Sequence, residues 1–138
     1  MKKATGYSKR RLADKLGIKP GSRVSFSNEP GHYYALLGVS RGDIEIAGSR
    51  ARHLDFLQVF VRDRKQLAAS FPRAKRRIKA TGVLWVSWPK LSSTLISDLS
   101  ENVVREIGLA NGLVDVKVAA IDEDWSGLKF VYRLRDRS

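Results

Sequence analysis

Residues 81–90, Thr-Gly-Val-Leu-Trp-Val-Ser-Trp-Pro-Lys, carry the reading of the fold. Thr81-Gly82 reads as a turn that opens a strand. Val83, Leu84, Trp85 and Val86 leave no polar face, so both sides of that strand must be covered. Pro89 ends it. A continuous apolar run between turn signals, with helical patterns on either side, predicts the central strand of a mostly parallel sheet. In open α/β sheets ligands lie beyond the carboxyl ends of such strands. Ser87, Trp88 and Lys90 stand at that end.

Working towards the C-terminus, Leu91 to Ser97 reads as a Ser/Thr-rich loop. Asp98 and Glu101 fit a capping box, with Ser100 as a competing N-cap. The helix that follows sets Leu99, Val103, Ile107 and Ala110 on one face and stops at Asn111-Gly112. Leu113 to Ile121 is a further strand. Residues 122–127 (DEDWSG) turn it into the last strand, Leu128 to Leu134. That link is too short for a parallel crossover, so the final pair is expected to be antiparallel. Trp125, on the turn, is expected to be more exposed than Trp85.

Towards the N-terminus, a helical stretch has Leu67 and Phe71 on one face. Pro72 can begin a second helical segment, and Ala74 and Ile78 continue the buried stripe. Before it, Asp55 to Val61 is a strand. Arg23 to Ser27 alternates as the first strand, with Val24 and Phe26 on one side. Asn28-Glu29-Pro30-Gly31 breaks it. His32 to Leu37 is a short helix carrying Tyr33 and Tyr34. Ile44 to Ala47 is a brief second strand, joined to the third by a polar connection, Gly48 to Leu54. Ser8 can cap a short helix burying Leu12, Ala13 and Leu16 and ending at Gly17.

The chain has 138 residues, 43% hydrophobic and 29% charged. That is one soluble α/β domain, with residues 1–22 packing on it as a basic helix and turn. No apolar run approaches the ~20 residues that span a bilayer, so no membrane partner is expected. The N-terminus has no apolar h-region of a secretory signal. With no cysteine there are no disulfides, thiolate metal sites or cysteine nucleophiles, and a reducing, cytoplasmic location is expected. His32 and His53 lack metal-ligand spacing, so no protein-built zinc site is expected.

The net charge of +12 is concentrated in two blocks. Residues 1–23 carry eight Lys/Arg against Asp14, and residues 50–79 carry ten against Asp55 and Asp63. Such blocks suit phosphate metabolites, nucleic acid or acidic partners; a solvated, solubilising surface is the alternative. The nucleic-acid candidates are Lys9, Arg10, Arg11, Arg73, Lys75, Arg76, Arg77 and Lys79. No zinc finger or aromatic RNA-binding pattern accompanies them.

The order strand, helix, strand and antiparallel hairpin over Asp55 to Leu134 resembles the second half of class I S-adenosylmethionine-dependent methyltransferases. The tracts GYSKRRLADKLGIKPG, LWVSWPK and GLVDVKVAAIDEDWSGLKFV resemble an uncharacterised bacterial family of small methyltransferase-like domains, over nearly the whole chain. The resemblance implies a Rossmann-like, truncated methyltransferase-like sheet of six strands, in order 2-1-3-4-6-5 with strand 6 antiparallel. It implies no activity. The cofactor half departs from the enzymes. The first turn is Ser27-Asn28-Glu29-Pro30-Gly31 where they have a Gly-rich turn. The second strand ends Ala47-Gly48-Ser49 where they have a ribose-binding acid. The stretch before the third strand is too short for their helix-strand-helix.

Three readings follow. The first is a methyltransferase-like binding module without methyl transfer or S-adenosylmethionine, holding a small anionic ligand or a protein partner through Asn28, Glu29, Arg62, Ser87, Trp88 and Lys90. A non-specific nucleic-acid-binding protein is the second. The third is an enzyme built on Lys90, Glu29 and Asp122. The acidic tip 122–124 also reads as a solvated turn, and His32 as a surface or capping residue.

Overall fold

The computed structural model describes residues 11–137; Ser8, Lys9 and Arg10 lie outside them. Its elements are α1 (Leu12–Leu16), β1 (Arg23–Ser27), α2 (Tyr33–Leu37), β2 (Glu45–Ile46), β3 (Leu54–Phe60), α3 (Arg64–Arg77), β4 (Ile78–Pro89), α4 (Glu101–Ala110), β5 (Leu113–Ala120) and β6 (Trp125–Tyr132). The six strands form one sheet in the order β2-β1-β3-β4-β6-β5. β2, β1, β3 and β4 are parallel, and β6 is antiparallel to both β4 and β5. This is the expected strand order, with β6 antiparallel as expected.

Side chains alternate across the sheet, so β4 feeds two cores at once. Leu84, Val86 and Trp88 join Leu57, Val59 and Phe130 beneath α3 and α4. Trp85 joins Val24, Phe56 and Phe60 beneath α1 and α2. The Trp85 indole is fully buried, and its Nε1 donates to the Leu16 carbonyl at 2.9 Å, pinning the end of α1 to the sheet. Gly127 makes room for it: a Cβ there would stand 3.0 Å from the indole.

Four local expectations are corrected. Thr81-Gly82 is no turn, because β4 already begins at Ile78. Its stretch Ile78 to Val83 faces only Leu54 to Phe56 of β3, an irregular bulge. Gly82 lies so close to the Leu54 carbonyl that a Cβ would fall 2.7 Å from it. Pro72 does not divide the helix, since α3 runs through it. Proline leaves the Ala68 carbonyl without its usual donor, and the packing of Leu67 and Phe71 before it and of Ala74 after it holds the helix together.

In α4 the N-cap is Ser100, whose Oγ accepts from Val103 N. Asp98 instead accepts from Arg64 N at 2.8 Å, bracing the start of α3. The buried face is Val104 and Gly108, with Val103 and Ile107 flanking and Ala110 exposed. Phe130 draws the helix in on that side, lying where a Cβ on Gly108 would be. The fourth concerns Trp125: at 7% it is more exposed than Trp85 at 0%, as expected, but it is buried and belongs to β6 rather than to the turn. It opens β6 opposite Pro89, and this places it at the centre of the sheet edge, with its ring edge-on to Phe60 at 5.1 Å.

Residues 47–53 carry the chain from β2 across β1 to β3 with no helix. Arg77 stands in for one. Its Nε donates to Ala51 O at 2.9 Å, and its Nη2 to Gly48 O and Ser25 Oγ at 3.0 Å each. Among the described residues, no helix is long and apolar enough to cross a membrane.

Candidate functional site

The chain leaves β1 towards β2 on one side and returns to β3 on the other. The carboxyl ends of β1 and β3 therefore diverge, which is where open α/β sheets form a crevice. Asn28 follows β1 in the left-handed region, at φ 61. Asparagine tolerates this conformation better than most residues. Its Nδ2 donates to Phe60 O at 3.4 Å, across the gap. Beyond β3, Asp63 caps α3 by accepting from Gln66 N at 2.7 Å, and the Gln66 side chain accepts from Arg62 N at 2.9 Å. Both lips of the crevice are thus held by hydrogen bonds.

Two hollows meet there, sharing Asn28 and Gln66. One, of about 450 Å³, has Phe60 and Trp125 in its lining, with Glu29, Asp124, Arg62 and His32 around them. The other, of about 320 Å³, lies on the α3 side among Ser27, Ser49, Ser70, Arg73 and Arg77. The first mixes charges. No carboxylate lines the second.

Asn28, Glu29 and Arg62 come together in the larger hollow. Ser87, Trp88 and Lys90 do not join them. Ser87 is fully buried and accepts from Gln58 Nε2 at 2.9 Å, while Gln58 Oε1 accepts from the Tyr33 hydroxyl. Burial pushes the Tyr33 phenol well above its usual range, against the opposing effect of the Gln58 hydrogen bond. Trp88 is 5% exposed in the core beneath α3 and α4. Lys90 lies in a separate hollow with Leu99 and Ser100. Its backbone N donates to Asp124 O at 2.8 Å. Strand alternation separates Ser87 from Trp88, and Lys90 leaves the end of β4 on the side of Leu99 and Ser100, away from the crevice between β1 and β3.

Asp122 is a turn former, its Oδ1 accepting from Asp124 N and Trp125 N at 2.8 and 2.9 Å. His32 Nε2 lies 3.7 Å from its Oδ2 and is exposed. Sequence reasoning missed Gln66 and Ser49. The spacing Asp63-x-x-Gln66, a capping-box pattern, was the available signal for Gln66. Nothing local marks Ser49.

The basic residues divide by helix geometry. Arg73, Arg76 and Arg77 are neighbours on one face of α3. With Arg50, Arg52 and Ser49 from the crossover they line a third hollow of about 310 Å³. Burial lowers the pKa of Arg77, and the charge of Arg73 lowers it further. Lys75 points elsewhere, donating to Asn111 O at 2.7 Å with its Nζ 5.6 Å from the Tyr132 ring centroid. Lys79 pairs with Asp55 at 2.9 Å. Arg11 pairs with Asp14 at 3.0 Å and reaches Gly38 O. It precedes α1, across the sheet from α3.

No protein-family model and no curated protein sequence matches the chain. Solved structures do. Magnesium protoporphyrin IX methyltransferase from Synechocystis, with bound S-adenosylhomocysteine, matches with a TM-score of 0.59 at 13% identity, over 88% of this chain and 80% of that one. A TehB-like methyltransferase from Corynebacterium glutamicum matches with a TM-score of 0.56 at 9% identity, over 93% and 90%. An O-methyltransferase family 2 protein from Planctomyces limnophilus reaches 0.65 at 13% identity, over 89% of this chain and 56% of that one. At such identities the likeness is one of fold: a Rossmann-like, methyltransferase-like α/β sheet.

Proposed function

We propose that this methyltransferase-like domain is a binding module that holds a small anionic ligand in the crevice between β1 and β3, without methyl transfer. The observation that carries the reading is the pair of hollows meeting at Asn28 and Gln66, with Arg73 and Arg77 and no carboxylate on the α3 side. Guanidinium groups beside hydroxyls and a side-chain amide suit an anion's oxygens. Glu29, Asp124 and the Phe60–Trp125 surface suit a polar or aromatic remainder of the ligand.

The residues do not fit S-adenosylmethionine. Its sulfonium and ammonium outnumber its single carboxylate, so the arginine-lined side repels it. Asn28 and Pro30 occupy the turn where backbone would have to approach it closely. The end of β2 offers Ser49 and Arg50 in place of a carboxylate for ribose hydroxyls. We expect S-adenosylmethionine to bind more weakly than about 1 mM, which requires only ~4 kcal/mol. A micromolar dissociation constant by calorimetric titration would restore the methyltransferase reading.

A thermal-shift screen of anionic metabolites and nucleotides tests the positive half. Saturation at a hundredfold excess over Kd stabilises by about 2.7 kcal/mol. Ala69→Tyr, made at an exposed position on the rim of the α3-side hollow, is expected to fill it and abolish the shift. A wild-type protein that no anion shifts, or a shift indifferent to Ala69→Tyr, contradicts the reading.

A further inference from the structure

We infer that the hollow between the crossover 47–53 and the last turns of α3 is a site for a condensed phosphate, a pyrophosphate or longer chain. Arg50, Arg52, Arg73, Arg76, Arg77 and Ser49 line it, in about 310 Å³. No carboxylate is among them, and among the described residues none of the five arginines forms an ion pair. Gathering five guanidinium groups around one concavity is unfavourable unless an anion neutralises them. Burial depresses the pKa of Arg77, and the neighbouring charge of Arg73 depresses it further.

Arginine is suited to the task, presenting paired N–H donors in a planar fork that matches phosphate oxygens. One fork is already fixed. Arg77 is held by Ala51 O, Gly48 O and Ser25 Oγ through Nε and Nη2. Among the described residues its Nη1 has no acceptor. Arg50, Arg52, Arg73 and Arg76 are exposed and free to close over a ligand. The volume is at the small end of the ~300–1,000 Å³ range of small-molecule sites. Such a concavity fits a short chain of phosphates better than a duplex backbone. A multiply charged chain, unlike a single carboxylate, offers enough oxygens for several forks.

The hollow shares Ser49, Arg73 and Arg77 with the α3-side hollow of the crevice. A phosphate chain seated here would direct the rest of its molecule towards Asn28 and Gln66. For that remainder the inference rests on the proposed crevice site; for phosphate binding it does not.

The test is calorimetric titration of the full chain with inorganic pyrophosphate, and with sulfate as control, at physiological ionic strength. The variants are Arg50→Gln/Arg52→Gln/Arg76→Gln and, separately, Ala69→Tyr. The three arginines are exposed and line only this hollow, so folding is not at stake; each single variant is also measured. Pyrophosphate is expected to bind at least tenfold more tightly than sulfate. The triple variant should weaken it at least tenfold, and Ala69→Tyr should leave it unchanged. Absent pyrophosphate binding, or binding indifferent to the three arginines, overturns the inference. So does a labelled duplex that binds more tightly than pyrophosphate and is lost in the triple variant, which would assign the arginines to nucleic-acid backbone. Pyrophosphate binding with no ligand sensitive to Ala69→Tyr would leave the phosphate site standing and remove the crevice reading. The converse pattern would do the reverse.

Discussion

Trp85 ties three elements together through one side chain. Its ring fills the core beneath α1 and α2, its Nε1 holds the Leu16 carbonyl, and its face lies against Gly127 of β6. Trp85→Ala is expected to cost about 3–5 kcal/mol, the range for large aromatic truncations. Trp85→Phe keeps most of the volume and orphans one acceptor, for about 1–3 kcal/mol. Urea unfolding checks both, and an unchanged midpoint for Trp85→Ala would contradict the sheet assignment.

Tyr33 makes a second prediction at this scale. Burial favours its neutral form, so its folded pKa lies above the unfolded value of about 10. A raised folded pKa contributes stability that is complete below the unfolded pKa and is lost as pH rises beyond it. Stability should therefore fall more steeply above pH ~10 in the wild type than in Tyr33→Phe. Parallel alkaline limbs in chemical unfolding would show that the phenol is not the titrating group.

Among elements, the crossover 47–53 is the unusual one, because parallel strands of one sheet are ordinarily joined through a helix. With no helix to satisfy its own backbone, this link depends on Arg77. Arg77→Met conserves the long side chain and removes the donors to Ala51 O, Gly48 O and Ser25 Oγ. The expected cost is on the order of 1–3 kcal/mol, with faster amide exchange confined to residues 47–53. Unchanged exchange there would mean the link stands without the guanidinium. The same geometry explains why replacing Arg73, Lys75, Arg76, Arg77 and Lys79 together is a poor probe of phosphate contact. Three of the five are already bound to the protein: Arg77, Lys75 and Lys79.

For the whole molecule the governing quantity is the net charge of +12. Repulsion among the surplus cations opposes folding, while the ion pairs described are partly exposed and individually weak. Raising NaCl from about 0.01 to 0.1 M shortens the screening length from ~30 to ~10 Å. It should relieve more repulsion than attraction. The urea midpoint is therefore expected to rise over that range; a fall would mean that the ion pairs dominate.

Sequence by itself determined the sheet. The apolar run around Trp85 had to be covered on both sides, and the link at 122–127 was too short for a parallel crossover. Strand order came from the resemblance to the methyltransferase sheet, because β4 pairs with β6 and not with its chain neighbour β5. The sequence also carried the expectation, drawn from the resemblance, of a rewritten cofactor half at Ser27-Asn28-Glu29-Pro30-Gly31 and Ala47-Gly48-Ser49. Tertiary structure alone decided which side chains meet. Ser87 and Trp88 are adjacent in sequence and face opposite cores, while Asn28 meets Gln66 and Arg50 meets Arg76 across long separations. Whether Trp125 is a hairpin tip or a floor depends on the register that sets it opposite Pro89. Whether Arg73, Arg76 and Arg77 form a solvated face or a concavity depends on how closely α3 packs beside a helix-free crossover. Leu67 and Phe71 of α3 share a core with Leu57 and Leu84 of the sheet, Ala47 and Ala51 of the crossover pack against the same core, and no local pattern in the chain encodes that packing.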